Sequence, residues 1–353
     1  MIYLLLFAGL FMGWSLGTND AANAFGTAVA TRVIRYRTAV ILISVMVVVG
    51  AILLGDGNIN KVSELATSNK VTASLEEVES AVTNGTLGDL RWKSALKAAI
   101  IFACAGLTVF LMSYLKFPVS ANQSITGAII GWGLFHANYS DPEVLAVNLP
   151  QIGKFASTWI LNPLGAGVIS FVLVFLFKKL FEKRLTSLGG YDVVIKLGYL
   201  AAGVFASFSI GMNSSANVTA LYYDATGQGA NLLTDARLTA AIGGIAIAIG
   251  VLTFSKRVMM TVGGSIANIS QVDGFLVIIA MALTVVIMGE WMGIPVSTSQ
   301  AVVGAVIGAG LVSGVKNVNF GVFKRIAIAW VSSPTVAGLM TYLVALATQS
   351  YFR

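Results

Sequence analysis

Two short polar motifs each occur twice in this chain, and every copy is embedded in a strongly apolar stretch. The first is Gly17-Thr18-Asn19-Asp20-Ala21-Ala22-Asn23, echoed by Gly211-Met212-Asn213-Ser214-Ser215-Ala216-Asn217. The second is Phe117-Pro118-Val119-Ser120-Ala121-Asn122-Gln123, echoed by Ile294-Pro295-Val296-Ser297-Thr298-Ser299-Gln300. Small polar residues beside glycine and proline, duplicated and at membrane depth, point to a site between two repeats.

The duplication is countable. Residues 117–134 align with 294–311 without a gap, with 10 identities in 18 positions. A third pair keeps the same order: Trp159, Pro163 and Gly167 match Trp330, Pro334 and Gly338. The surrounding chain is 57% apolar and only 10% charged, against about 25% charged in a soluble domain. It therefore reads as an all-α polytopic protein whose solvent is the lipid bilayer. The net charge of +7 is scattered at helix ends. That is the topology pattern of membrane proteins rather than a nucleic-acid surface. The single cysteine, Cys104, excludes an intrachain disulfide and a cysteine-rich metal site. It reads as a small buried apolar residue.

A bilayer core takes about 20 apolar residues per helix. Candidate spans are 2–18, 38–55, 95–115, 118–135 and 152–177 in the first half, and 193–212, 238–255, 273–293, 296–312 and 326–350 in the second. The halves divide at 1–184 and 185–353. An odd number of spans in each makes the second enter the membrane in the opposite sense, an inverted repeat. With the N-terminus outside, 14 of the 22 lysines and arginines, including the Lys178–Arg184 cluster, fall on the cytoplasmic side. Both termini are therefore expected outside, and Met1-Ile2-Tyr3 leads into a first helix that stays as an anchor. Segment 56–93 reads as a solvated, partly helical outer loop. Helix breaks are expected near Gly17 and Gly211, with half-helices over 19–31 and 213–223. The spans 118–135 and 296–312 are near the lower limit for a full crossing, and each reads as a short span, a broken helix or part of a hairpin.

An ionised Asp20 inside a span needs a partner or a cavity, and no Lys or Arg follows it before Arg32. A cation is an economical partner. Asn19 and Asn23 flank the acid with hard carbonyl oxygens suited to Na+; in the echo Asn213 and Asn217 keep the amides while Ser214 replaces the acid. These six residues are the candidate sodium ligands, with helix capping the competing reading. In the second motif, helix N-termini with their free N–H groups suit an anion. Ser120, Asn122, Gln123, Ser297, Thr298, Ser299 and Gln300 are the candidate anion ligands, with helix–helix packing as the alternative. Gly127, Gly131, Gly304 and Gly308 read as packing residues. Glu290 reads as an outer interfacial acid, His136 as a surface residue, and Asn162 and Ser333 as caps of a further pair of broken helices.

These doubled motifs resemble the inorganic phosphate transporter (PiT) family, over nearly the whole chain outside 56–93. The second copy departs from the family pattern at Ser214, where an aspartate is common. The resemblance implies phosphate as substrate, an inverted-repeat core and a homodimer. Each charge moved against the potential costs about 2.3 kcal/mol per 100 mV, so a phosphate dianion needs co-transported cations. The expectation is a multi-pass cell-membrane symporter that uses sodium ions and is not an enzyme. The alternatives are a proton-coupled phosphate or sulfate permease and, behind these, a passive anion channel.

Overall fold

The computed structural model describes residues 5–69, 71–115, 119–139, 149–181, 188–224, 231–262, 269–291 and 296–351. Helices dominate, and among the described residues one isolated bridge joins Tyr223 and Leu233. The first half carries α1 (Leu6–Ala30), α2 (Tyr36–Leu54), α3 (Asp56–Ser68), α4 (Leu75–Thr83), α5 (Leu87–Tyr114), α6 (Ala121–Tyr139) and α7 (Leu149–Leu180). The second carries α8 (Leu188–Ser214), α9 (Ala216–Thr219), α10 (Ala236–Phe254), α11 (Lys256–Val262), α12 (Gln271–Val286), α13 (Thr298–Val312) and α14 (Phe320–Ala347). Each of the ten apolar stretches falls on a helix. Among the described residues, seven helices are long and apolar enough to cross a membrane. Those bearing most of the polar motif residues, α1, α6 and α13, are not among them, because polar side chains interrupt their apolar runs and α13 has only 15 residues.

The molecule is apolar outside and polar at its centre. Ile160, Leu164 and Val168 on α7, and Val331, Leu339 and Leu343 on α14, are exposed, while Asp20, Asn23, Asn213 and Gln300 are buried. So much exposed apolar surface suits lipid as solvent. Cys104 is buried, as the sequence suggests.

The packing repeats. Helix α2 lies on α8, and its counterpart α10 lies on α1. Helix α6 lies on α14, and α13 on α7; α5 lies on α1, and α12 on α8. Glycines set these contacts at backbone distance. A Cβ at Gly127 would meet the Pro334 main chain, and one at Gly304 the Pro163 main chain. Gly131 and Gly308 stand in the same way against Gly338 and Gly167. Gly17 packs on the Ile247 carbonyl and Gly211 on that of Val47.

That last pair corrects an expectation. The glycines of the first motif were expected to open their helices. Instead α1 runs unbroken from Leu6 to Ala30, past Gly17 and Asp20. Close packing on α10, rather than helix opening, is the use of Gly17. The second copy only falters. Ser215 keeps helical dihedrals (φ −58°, ψ −35°), after which come the four-residue α9 and a 3-10 turn over Ala220–Tyr222. Helices α7 and α14 likewise continue through Pro163 and Pro334. The 56–93 segment is partly helical as expected, but α3 is no solvated loop: Ile59, Val62, Leu65 and Ala66 are buried. Asn58 donates to the Met212 carbonyl (3.2 Å) and Lys61 to that of Gly289 (2.6 Å).

Candidate functional site

The polar motifs meet because α1 carries its Asn-Asp segment to the start of α13. One Asp20 oxygen accepts from Asn19 Nδ2 (3.3 Å) and Asn23 Nδ2 (3.2 Å). The other accepts from the hydroxyl of Thr298 (3.1 Å), 278 residues away. Asn23 Nδ2 also lies 3.2 Å from Ser299 Oγ. The carboxylate is 3% exposed, and among the described residues no lysine or arginine pairs with it.

Asn19 brings the two Pro-Val-Ser segments together. Its Nδ2 lies 3.1 Å from the Val119 carbonyl and 3.4 Å from Ser299 Oγ. The segments are 177 residues apart in sequence, yet one amide nitrogen touches both. Asn213 makes the matching contact in the second half, with Nδ2 2.8 Å from the Val296 carbonyl and Oδ1 3.4 Å from its N–H. The motif asparagines therefore act as latches between α1 or α8 and the Pro-Val-Ser segment of the same half.

Helices α6 and α13 start as their sequences imply. Ser120 Oγ accepts from Gln123 N–H (3.2 Å) and Ser297 Oγ from Gln300 N–H (3.3 Å). Each serine caps its own helix, which satisfies one of the four free N–H groups of the first turn. Pro118 and Pro295 lie outside the described residues, and Glu290 outside the described side chains.

Every candidate ligand is buried: Ser120, Asn122, Gln123, Ser297, Thr298, Ser299 and Gln300, together with Asn19, Asp20, Asn23, Asn213, Ser214 and Asn217. The halves are chemically unequal. Where one side sets Asp20 against Thr298 and Ser299, the repeat positions hold Ser214, Ala121 and Asn122. Several buried oxygens meet no donor among the described residues: Asn217 Oδ1, Gln123 Oε1, Gln300 Oε1 and Asn162 Oδ1. Protein interiors rarely leave such atoms unsatisfied, and a small cation or a hydroxyl-bearing ligand suits them.

Asn162 was read as a helix cap. Instead it sits inside α7 and donates to the Ser297 carbonyl (2.7 Å). The signal for its place was the repeated Trp-x-x-x-Pro pattern, which brings α7 of one half onto α13 of the other. His136, expected at the surface, is half-buried near the end of α6.

Apolar helices closed around a buried set of amides, hydroxyls and one acid define a multi-pass membrane protein of the transporter class. The model of the phosphate transporter family matches residues 16–195 and 184–341, and the chain belongs to that family. Proteins named "Putative phosphate permease" are 30% identical in Thermococcus kodakarensis, over 95% of this chain and 95% of the relative, and 28% identical in Pyrococcus abyssi, over 97% and 96%. A sulfate permease of Bacillus subtilis is 27% identical, over 95% of this chain and 84% of the relative. Among solved structures, "The sodium-dependent phosphate transporter" shares the fold at TM-score 0.77 and 23% identity, over 99% of this chain and 98% of that one.

Proposed function

We propose that the chain is a secondary active symporter that takes up inorganic phosphate with sodium ions by alternating access. The observation that carries this reading is Asp20, a buried carboxylate without an ion-pair partner among the described residues, held by amides of α1 and a hydroxyl of α13. A carboxylate inside a membrane protein is stable beside a cation or in protonated form. Asn19 and Asn23 turn their amide NH2 groups, and Thr298 its hydroxyl, to the carboxylate; a rotation of each amide would present its oxygen, beside the Thr298 and Ser299 hydroxyls, to Na+. Asn213, Ser214 and Asn217 form the second, uncharged group, and Asn217 Oδ1 has room for a ligand in its hydrogen bonding.

The anion is assigned to Ser120, Asn122 and Gln123 with Ser297, Thr298, Ser299 and Gln300. No lysine or arginine lies in either segment. A permanent cation there would hold a dianion tightly and slow its release. Helix N-termini with co-bound Na+ make anion affinity follow the ion gradient instead.

The halves, 1–184 and 185–353, are read as an inverted repeat. Moving one against the other around the site gives access from alternate sides. Both termini are placed outside, in the cell membrane, and two copies are expected to form a homodimer. Polar residues gather at the motifs rather than along whole helices, which argues against an open pore. The name of the structural neighbour supports sodium, and the sulfate permease among the relatives makes sulfate the competitor to test.

The test is uptake of labelled phosphate into proteoliposomes with and without an inward Na+ gradient, with a proton gradient and with excess sulfate. Accumulation that needs Na+ is expected. Accumulation driven by protons alone, or sulfate moved in preference to phosphate, would replace this reading by the corresponding alternative. Flux only down the phosphate gradient would make the chain a pore.

A further inference from the structure

Pro163 has no N–H, so the Trp159 carbonyl, four residues earlier in α7, loses its helical partner. Gln300 fills that place from α13, with Nε2 3.5 Å from the Trp159 oxygen. Beside it, Asn162 Nδ2 donates to the Ser297 carbonyl at 2.7 Å. A main-chain carbonyl can only accept. Each contact therefore settles which end of the amide is the NH2 group, and both side-chain oxygens are turned away from those carbonyls. Asn162 Oδ1 and Gln300 Oε1 are buried and meet no donor among the described residues, and the repeat counterpart Gln123 Oε1 is in the same condition.

Bare acceptors are out of place next to an anion. They repel an oxyanion that has lost every proton and attract one that keeps a hydroxyl. At neutral pH phosphate and arsenate keep at least one X–OH group, whereas sulfate and monofluorophosphate keep none. Among the described residues no acid shares a hydrogen bond with Asn162 or Gln300; the acid of the motifs, Asp20, lies on α1.

We propose that Asn162 Oδ1 and Gln300 Oε1 accept hydrogen bonds from a protonated oxygen of the bound phosphate. They thereby select hydroxyl-bearing tetrahedral oxyanions against sulfate. The proposal rests on the phosphate-transport reading above. It makes the Pro163 gap in α7 part of substrate selection, because the carbonyl freed by the proline orients Gln300.

The experiment is competition against labelled phosphate uptake in proteoliposomes of the full chain near neutral pH, using unlabelled phosphate, arsenate, sulfate and monofluorophosphate. For the native chain, phosphate and arsenate should compete, and sulfate and monofluorophosphate should compete poorly. In Asn162→Leu the half-saturating phosphate and arsenate concentrations should rise about tenfold, the effect of one lost hydrogen bond. The inhibition constants of sulfate and monofluorophosphate should stay, as should the half-saturating Na+ measured at saturating phosphate. Equal weakening of all four anions would give Asn162 a purely structural role and overturn the proposal. A raised Na+ requirement with anion selectivity intact would make the oxygens cation ligands and overturn it equally. If Asn162→Leu does not purify as a single species, Gln300→Met carries the same comparison. A native chain that moves sulfate but not phosphate would sink the underlying reading, and that result appears before any substitution is made.

Discussion

Replacing Asp20 by Asn removes one charge from the buried site with almost no change of shape. The contacts allow it. The retained oxygen still accepts from Asn19 and Asn23, and the new NH2 group faces the Thr298 hydroxyl, which can turn from donor to acceptor. Three charge-assisted bonds become neutral ones, a loss of roughly 1 kcal/mol each. The desolvation penalty of a buried carboxylate, several kcal/mol, disappears with the charge. The folded protein should therefore be as stable as the native one without sodium. Cation binding should suffer much more. At roughly 3 Å and an effective dielectric of about 20, a carboxylate and a sodium ion attract by about 5.5 kcal/mol. If desolvation offsets about half of that, the rest corresponds to about a hundredfold in affinity. The assay is Na+-driven accumulation of labelled phosphate in proteoliposomes, with thermal unfolding in NaCl and in choline chloride as the binding readout. Asp20→Asn should unfold at the native temperature in choline, lose the stabilisation by Na+, and fail to concentrate phosphate. Native accumulation with native Na+ dependence would refute the reasoning and make Asp20 structural.

Thr298→Val deletes the hydroxyl that crosses from α13 to Asp20 and should raise the half-saturating Na+ about tenfold, the effect of one bond to a charged group; unchanged Na+ dependence would remove Thr298 from the site. Gly304→Val places a side chain against the Pro163 main chain and should destabilise the protein by about 1–3 kcal/mol or more, as overpacking does. Gly153→Ala lies inside α7, where a Cβ meets nothing within 4 Å, and should stabilise the protein by up to about 1 kcal/mol through helix propensity, read as a small rise in melting temperature. For topology, Cys104 is first replaced by Ser, and single cysteines at Asn84 and Lys316 are then probed with an impermeant thiol reagent in intact cells. Asn84→Cys should label from outside and Lys316→Cys only after permeabilisation; the reverse pattern would invert the orientation.

Much of this architecture was legible in one dimension. In lipid, each apolar run must satisfy its own backbone, so hydropathy alone locates the helices, and each of the ten apolar stretches falls on one. The doubled motifs likewise named the residues that are buried together, because polar residues at membrane depth are kept only where a site or a partner needs them. What the motifs would do to the backbone was not legible. A glycine beside asparagines reads locally as a break, yet Gly17 lies in an unbroken helix because α10 needs that space. Proline in α7 reads as a helix end, yet the helix runs on through Pro163, with Gln300 of the other half beside the freed carbonyl. Segment 56–93 reads as a solvated, partly helical loop, yet the apolar stripe of its first helix, Asp56–Ser68, is buried. The bond from Thr298 to Asp20 and the reach of Asn19 to both Pro-Val-Ser segments join parts of the chain that local pattern cannot connect. Composition and periodicity depend on neighbours in sequence, and they determined the solvent, the helices and the list of polar residues. Which of those residues face one another was decided by the distance at which glycine-lined helices pack, and that exists only in the assembled bundle.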